Sequence, residues 1–257
     1  MPFTVSHIAA VLPLRRVRRS VLPLAALTIG SMSPDAVYFV PGLRPAGVLT
    51  HQWWASVTID VAIALVGWVL WRSISSQLHE SSPTWLRARW RPAGWNDHAA
   101  WTIVAGAAVG AATHVVWDSF THPGRWGSTH LGFLAASYPA PFGGSWPGYQ
   151  WAQYLSGLFG LAAIAWVGWR QPSAPVESRP TPTRLLAVVT AAGLAGASVR
   201  IVTSSALSGG PAAIAFAAAT GGLGAAAAII VVTCWLSSAR VRSGSTAPLP
   251  ASTDLGG

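Results

Sequence analysis

Apolar residues in this chain gather into whole segments rather than into short alternating stripes. Three long runs stand out: 53-WWASVTIDVAIALVGWVLW-71, 99-AAWTIVAGAAVGAATHVVWDSF-120 and 151-WAQYLSGLFGLAAIAWVGW-169. Each approaches the roughly 20 residues that a helix needs to cross a bilayer core of about 30 Å. Two more follow, 185-LLAVVTAAGLAGASVRIVTSSAL-207 and 212-AAIAFAAATGGLGAAAAIIVVTCWL-236, both rich in Ala and Gly, which suits close helix packing in lipid. Tryptophans such as Trp53, Trp54, Trp71, Trp101, Trp117, Trp151 and Trp169 fall near the ends of these runs, as interfacial anchors do. Nearer the start, His7 to Val17 and Val21 to Met32 are apolar but short, and 15-RRVRRS-20 separates them. The pattern predicts an all-α, polytopic membrane helical bundle: about five spans preceded by an N-terminal helical hairpin with an arginine-rich tip. Residues 171–184 read as a Pro/Ser-rich linker, 185–236 as two further membrane helices, and 237–257 as a disordered tail.

Composition agrees with the pattern. Hydrophobic residues make up 52% of the 257 and charged residues 9%, where a soluble domain has roughly 25% charged. The net charge of +9 raises the question of nucleic acid, but the arginines lie between apolar segments, where membrane orientation and anionic lipid head groups account for them. We therefore expect membrane lipids as partners and no nucleic acid. All 16 basic residues are arginine, which with the Ala and Gly usage suggests a GC-rich bacterial genome. The single Cys234 rules out a disulfide framework. The opening MPFTVSHIAAVLPL lacks a basic region ahead of its apolar part, so the N-terminus is expected to remain on the mature protein.

Charge also orients the chain. If the hairpin tip, the loop with Arg72, Arg87, Arg89 and Arg91, the linker and the tail share the cytoplasmic side, that side holds thirteen arginines. The opposite connections hold only Arg44 and Arg125, and Arg200 lies within a helix. This is a positive-inside distribution in a bacterial cell membrane.

Against that frame the polar residues are informative. His114, Asp118 and His122 are spaced by four, which keeps side chains on one helix face. His7 opens the first helix, Asp35 follows the second within 30-GSMSPD-35, and His51 is expected to start the third. All would gather at the extracytoplasmic ends of their helices. Imidazole and carboxylate together bind zinc, manganese or iron, and such an ion lowers the pKa of water to about 7. His7, Asp35, His51, His114 and Asp118 are the candidate metal ligands, the ion being a divalent metal, zinc ahead of manganese or iron. His122 is a further ligand or a catalytic general acid/base. A structural His–Asp hydrogen bond is the bland alternative for His114 and Asp118. Ionisable residues at membrane depth are costly and tend to be functional, which favours the site.

The other polar residues read differently. His79 and His98 read as interface residues beside the arginine-rich loop, and His130 stays open. Asp60, nine helical steps from His51, is expected on the opposite face as an interhelical hydrogen-bond or supporting group. Arg200 is expected to reach toward the outer interface in preference to the site.

The segments MPFTVSHIAAVLPL, LPLAALTIGSMSPD and THVVWDSFTH together closely resemble the bacterial family called domain of unknown function 4184, over roughly residues 1 to 170. That resemblance brings no established activity. The order of an early His, a PD after a helix, a His opening the next helix and an HxxxD is also similar to membrane-bound metal-dependent hydrolases and to zinc-dependent phospholipase C. This wider resemblance implies a metal-dependent hydrolase acting on a lipid or membrane-adjacent ester or phosphoester, with His7, Asp35, His51, His114 and Asp118 holding the ion. The alternative is a non-enzymatic membrane scaffold or small transporter. Members of the first family often carry QHGSS where this chain has 150-QWAQYLSGL-158, so Gln153 and Tyr154 stand where a further histidine would be. His51 is also followed by QWW, where relatives tend to carry smaller residues.

Overall fold

The computed structural model describes residues 4–16, 21–92, 98–141, 143–178 and 183–244. Helices dominate. After a short helical segment, Thr4–Leu14, come α1 (Leu24–Met32), α2 (Ile59–Glu80), α3 (Ala100–Thr121), α4 (Gly148–Trp169), α5 (Thr183–Thr203) and α6 (Gly210–Gly244). Four of these, α2, α3, α5 and α6, are long and apolar enough to cross a membrane. α4 matches α2 and α3 in length at 22 residues but is not among the four; its first turns carry Gln150 and Gln153. The N-terminal segment packs beside α1 as a hairpin, and its tip, residues 17–20, lies outside the described residues. The last helix runs on to Gly244, past the break expected at residue 237.

Proline chemistry sets two boundaries that matter for the site. Pro34 has no N–H to continue α1, so the chain tightens into a 3-10 turn, Ser33–Asp35, with the Ser33 hydroxyl donating 2.8 Å to the Gly30 carbonyl. α3 ends at Thr121 because His122 precedes Pro123, which disfavours helical backbone there; His122 is extended at φ −127, ψ 148.

One expected boundary is wrong. The apolar run from Trp53 is not a single helix, and His51 does not start one. His51 follows a short helix, Gly47–Thr50; a 3-10 turn, Trp53–Val57, comes next; Thr58 breaks the chain at φ −130, ψ −92; α2 begins only at Ile59. Hydroxyls of Ser56 and Thr58 donate to the Trp53 and Trp54 carbonyls within this break. No glycine or proline marks it, so hydropathy reads straight through. Asp60 therefore sits in the first turn of α2, unrelated to His51 by helical phase.

Close backbone contact holds α1 against α3. A Cβ on Gly30 would lie 2.2 Å from the Ala107 carbonyl oxygen, and one on Gly110 would lie 2.2 Å from that of Leu27. α5 and α6 pair in the same manner, with Gly196 and Gly221 in mutual backbone contact. A two-stranded hairpin, Ser137–Pro139 with Ser145–Pro147, joins the α3 end to α4. It turns through Gly143 and Gly144 at φ 90 and 74, a backbone only glycine adopts freely. These are the only strands among the described residues. Ala174 N–H donates 2.7 Å to the Ala88 carbonyl, and Arg87 donates to the Glu177 carbonyl, so the stretch after α4 is fastened to the 84–89 turn.

Candidate metal centre

The stripe Thr102, Gly106, Gly110, His114, Asp118 runs along α3 at steps of four, and every member is buried. Its small residues admit α1. That approach puts the Ser31 carbonyl 2.7 Å from His114 Nδ1. The 3-10 turn after α1 then delivers Asp35, fully buried, with Thr4 donating 2.6 Å to its Oδ2. His51 comes from the corner after Gly47–Thr50, its Nδ1 at 2.9 Å from the Gly47 carbonyl. His7 arrives because Gly160 of α4 lets the N-terminal segment in: a Cβ there would stand 2.8 Å from the Ser6 carbonyl. The His7 and His114 rings stack at 3.8 Å. The five residues expected to be ligands thus meet at one buried point.

The separations are specific. His51 Nε2 lies 3.3 Å from Asp35 Oδ1 and 3.4 Å from Asp118 Oδ2. His114 Nε2 lies 3.6 Å from Asp35 Oδ1 and 3.4 Å from Asp118 Oδ2, and His7 Nε2 lies 3.6 Å from Asp118 Oδ1. Charge-assisted hydrogen bonds are shorter, about 2.7–2.9 Å. Ligands held tetrahedrally at about 2.0–2.2 Å from zinc are about 3.3–3.6 Å from one another. These contacts have ligand spacing.

Tautomers strengthen the argument. A carbonyl oxygen can only accept, so the Nδ1 atoms facing Gly47 and Ser31 must be the protonated nitrogens of His51 and His114. In the neutral rings, Nε2 then presents a lone pair toward the carboxylates. Two acceptors facing each other in a buried space repel unless a cation lies between them. Accordingly His51 Nε2, His114 Nε2, Asp35 Oδ1 and both Asp118 oxygens are buried without a hydrogen-bond partner among the described residues. Two triads, His7–His114–Asp118 and Asp35–His51–His114, could each hold a metal ion, with ligand atoms within 4.8 Å of one another. His114 belongs to both, so the arrangement suits one ion or an adjacent pair. The Nδ1-to-carbonyl anchors are what metal-binding histidines normally carry.

Electrostatics agree. Burial disfavours a charged His51 ring, but the carboxylates of Asp118 and Asp35 outweigh it and raise its pKa to about 9. Burial pushes the Asp35 carboxyl up, yet His114, His51 and Thr4 hold it at about 2. A positive charge belongs at this point, as a proton or as a metal ion.

His122 stands at the edge. Its Nδ1 is 3.2 Å from Asp118 Oδ1 and its Nε2 is 2.7 Å from the Gln153 side-chain nitrogen. A cavity of about 10 Å³ opens here, lined by Ser6, His7, Trp117, Asp118, Thr121, His122 and Gln153. It has room for one small molecule such as water. Gln153, set where relatives' histidine is expected, reaches the centre through His122.

Several contributors were not foreseen. Thr4 and the Ser31 carbonyl, though inside quoted segments, and Tyr38, whose ring is 5.7 Å from that of His51, had no role assigned from the sequence. Arg125, expected only as a loop charge, donates 2.8 Å to the His51 carbonyl. Asp60 is fully buried with neither carboxylate oxygen hydrogen-bonded among the described residues, so it is not the interhelical hydrogen-bond partner expected of it. Arg200 turns inward, its Nη2 donating 3.2 Å to the Tyr38 carbonyl, where interfacial snorkelling was expected. His130 is exposed and stacks on Trp126 at 5.4 Å, away from the centre, and His79 packs on Trp90.

A family model described as "Domain of unknown function (DUF4184)" matches residues 1–235, extending through α5 and most of α6. No curated protein and no solved structure matches the chain.

Proposed function

This chain belongs to the DUF4184 family, whose description assigns no activity, and we propose from the buried centre that it is a metal-dependent hydrolase of a bacterial membrane. One observation carries the reading: the buried Nε2 atoms of His51 and His114 face oxygens of Asp35 and Asp118 at 3.3–3.6 Å, ligand spacing rather than hydrogen-bond spacing. His7, Asp35, His51, His114 and Asp118 would hold the ion. Zinc is favoured over manganese or iron by the nitrogen-rich, tetrahedrally spaced donors. When bound, the ion supplies Lewis acidity and hydroxide at neutral pH.

The chain's own groups supply the rest. Asp118 faces four imidazoles at 3.2–3.6 Å, those of His7, His51, His114 and His122. Thr4 fixes the Asp35 carboxylate. His122, beside the small cavity and partly exposed, would act as the general acid/base, its ring steered by the Gln153 amide that donates to Nε2. Arg125, anchored on the His51 carbonyl, would offer a cation to an anionic substrate group. With the arginine-rich connections in the cytoplasm, the centre faces the extracytoplasmic side. The substrate class is a lipid or membrane-adjacent ester or phosphoester, since the chain has four helices long and apolar enough to cross a membrane and one of them, α3, carries His114 and Asp118.

Turnover of a chromogenic phosphodiester by the purified protein is the test. Chelation should abolish it, zinc should restore it, and Asp118→Asn should remove it while the protein still inserts and folds. Activity untouched by chelation and by Asp118→Asn would refute the hydrolase, as would none under any metal; a scaffold or transporter would then stand.

A further inference from the structure

An apolar groove of about 1460 Å³ lies beside the centre, between α5, α6 and the segment from Met32 to Arg44. This exceeds the roughly 300–1,000 Å³ of a site for a drug-sized ligand. Its wall on α6 runs from Ala212 to Ala228, about 24 Å at the rise of a helix. Two cations line it, Arg44 and Arg200, and no carboxylate lines it among the described residues. Arg44 lies over the Phe216 ring at 5.1 Å, and Arg200 stands in the last turn of α5. Arg44 sits at the level of Phe216 and Arg200 has its Cβ beside Gly221, and the apolar wall continues past both to Ala228. The remaining wall is mostly apolar, including Val5, Val199, Leu223 and Ala228, with hydroxyls only from Thr4, Thr203, Ser204 and Ser205 among the described residues.

The groove also touches the centre. Thr4 lines it while donating to Asp35, and Ala36 lines it directly after Asp35. Arg200 bonds the Tyr38 carbonyl, and the Tyr38 ring sits against His51.

We propose that this groove is a binding site for one anionic membrane phospholipid, its phosphate held by Arg44 and Arg200 and an acyl chain laid along α6. Charge complementarity carries the choice of ligand: two guanidinium groups, no lining carboxylate among the described residues and an apolar wall running on past them to Ala228 match an amphiphile whose head is a phosphate. The further step, that this lipid is what the metal centre hydrolyses, rests on the proposed function; binding itself does not.

Native mass spectrometry of the zinc-loaded protein in a neutral detergent tests the site, with phosphatidylglycerol or phosphatidylcholine of identical chains added. The wild type should retain phosphatidylglycerol with a preference of about tenfold. Arg44→Gln with Arg200→Gln should erase that preference at unchanged zinc content. Val199→Trp, at an exposed lining position that keeps both arginines, should reduce retention of both lipids. Equal retention of the two lipids by the wild type would overturn the proposal, as would a preference surviving the double substitution or retention unaffected by Val199→Trp. Zinc content separates the two readings: lipid selectivity without turnover would defeat the hydrolase and leave this site standing.

Discussion

α3 and α5 are nearly the same object in sequence, 22 and 21 residues of mostly Ala, Val and Gly, and both are long and apolar enough to cross a membrane. They do opposite things. α3 buries eight residues, among them His114 and Asp118, whereas α5 buries none and leaves Leu194 and Val202 facing outward. The difference lies in what each meets. The stripe on α3 receives the backbone of α1, which satisfies His114 from outside the helix and seals the carboxylates. α5 packs mainly on α6, touches the 36–39 helix through Arg200 and borders the groove. In an apolar helix, then, a polar residue becomes a site only where small neighbours on the same face let a second backbone come in to orient it.

The sharpest way to break this contrast is Gly110→Ala. Its Cβ would collide with the Leu27 carbonyl at 2.2 Å, and neither backbone can yield. We expect a loss of about 2–3 kcal/mol in micellar unfolding, with metal retention failing alongside. A wild-type unfolding curve for that variant would show that the α1–α3 contact does not organise the centre.

Thr4→Val is expected to act next most strongly. It removes the hydroxyl that holds Asp35 while keeping the volume, and metal affinity measured by competition with a chelator should fall about 10–100-fold. Fold stability should change far less.

pH sharpens the comparison further. The His51 pKa is raised to about 9 in the metal-free centre, so its contribution to stability is full below the ordinary value of 6.5 and is lost as pH rises through 9. Asp35, lowered to about 2, contributes above its ordinary value of 3.8 and loses that contribution as pH falls toward 2. Thermal scans in chelator should therefore show Tm falling between pH 6.5 and 9. Zinc-loaded protein should lack that fall, because the ion replaces the proton, and zinc uptake at pH 7 should release protons. Identical pH profiles with and without zinc would contradict the assignment.

The smallest effect belongs to the α5–α6 pair. Gly193→Ala places a Cβ 3.5 Å from the Gly222 carbonyl, an ordinary contact, and stability should stay within about 0.5 kcal/mol. Equal damage from Gly193→Ala and Gly110→Ala would erase the distinction between the two helices.

The two helix faces also show what the sequence could reveal. The HxxxD of His114 and Asp118 was legible because helical spacing survives in any helical context. Asp35 was legible because Pro34 ends α1 just before it. The corner at His51 was not, since Thr58 breaks the chain without a glycine or proline, and this misplaced Asp60 by helical phase. The Ser31 carbonyl and Thr4 were invisible because their roles come from tertiary approach. The inward turn of Arg200 depends on the Tyr38 carbonyl, a partner 162 residues away in the chain.

Elemental analysis of purified wild-type protein beside Asp118→Asn, both prepared without chelator, tests the central claim most directly. The account predicts one or two zinc ions per wild-type chain and a loss to background in the variant, with helical content unchanged by circular dichroism. A wild type free of divalent metal, or a variant that binds as much as the wild type, would contradict it.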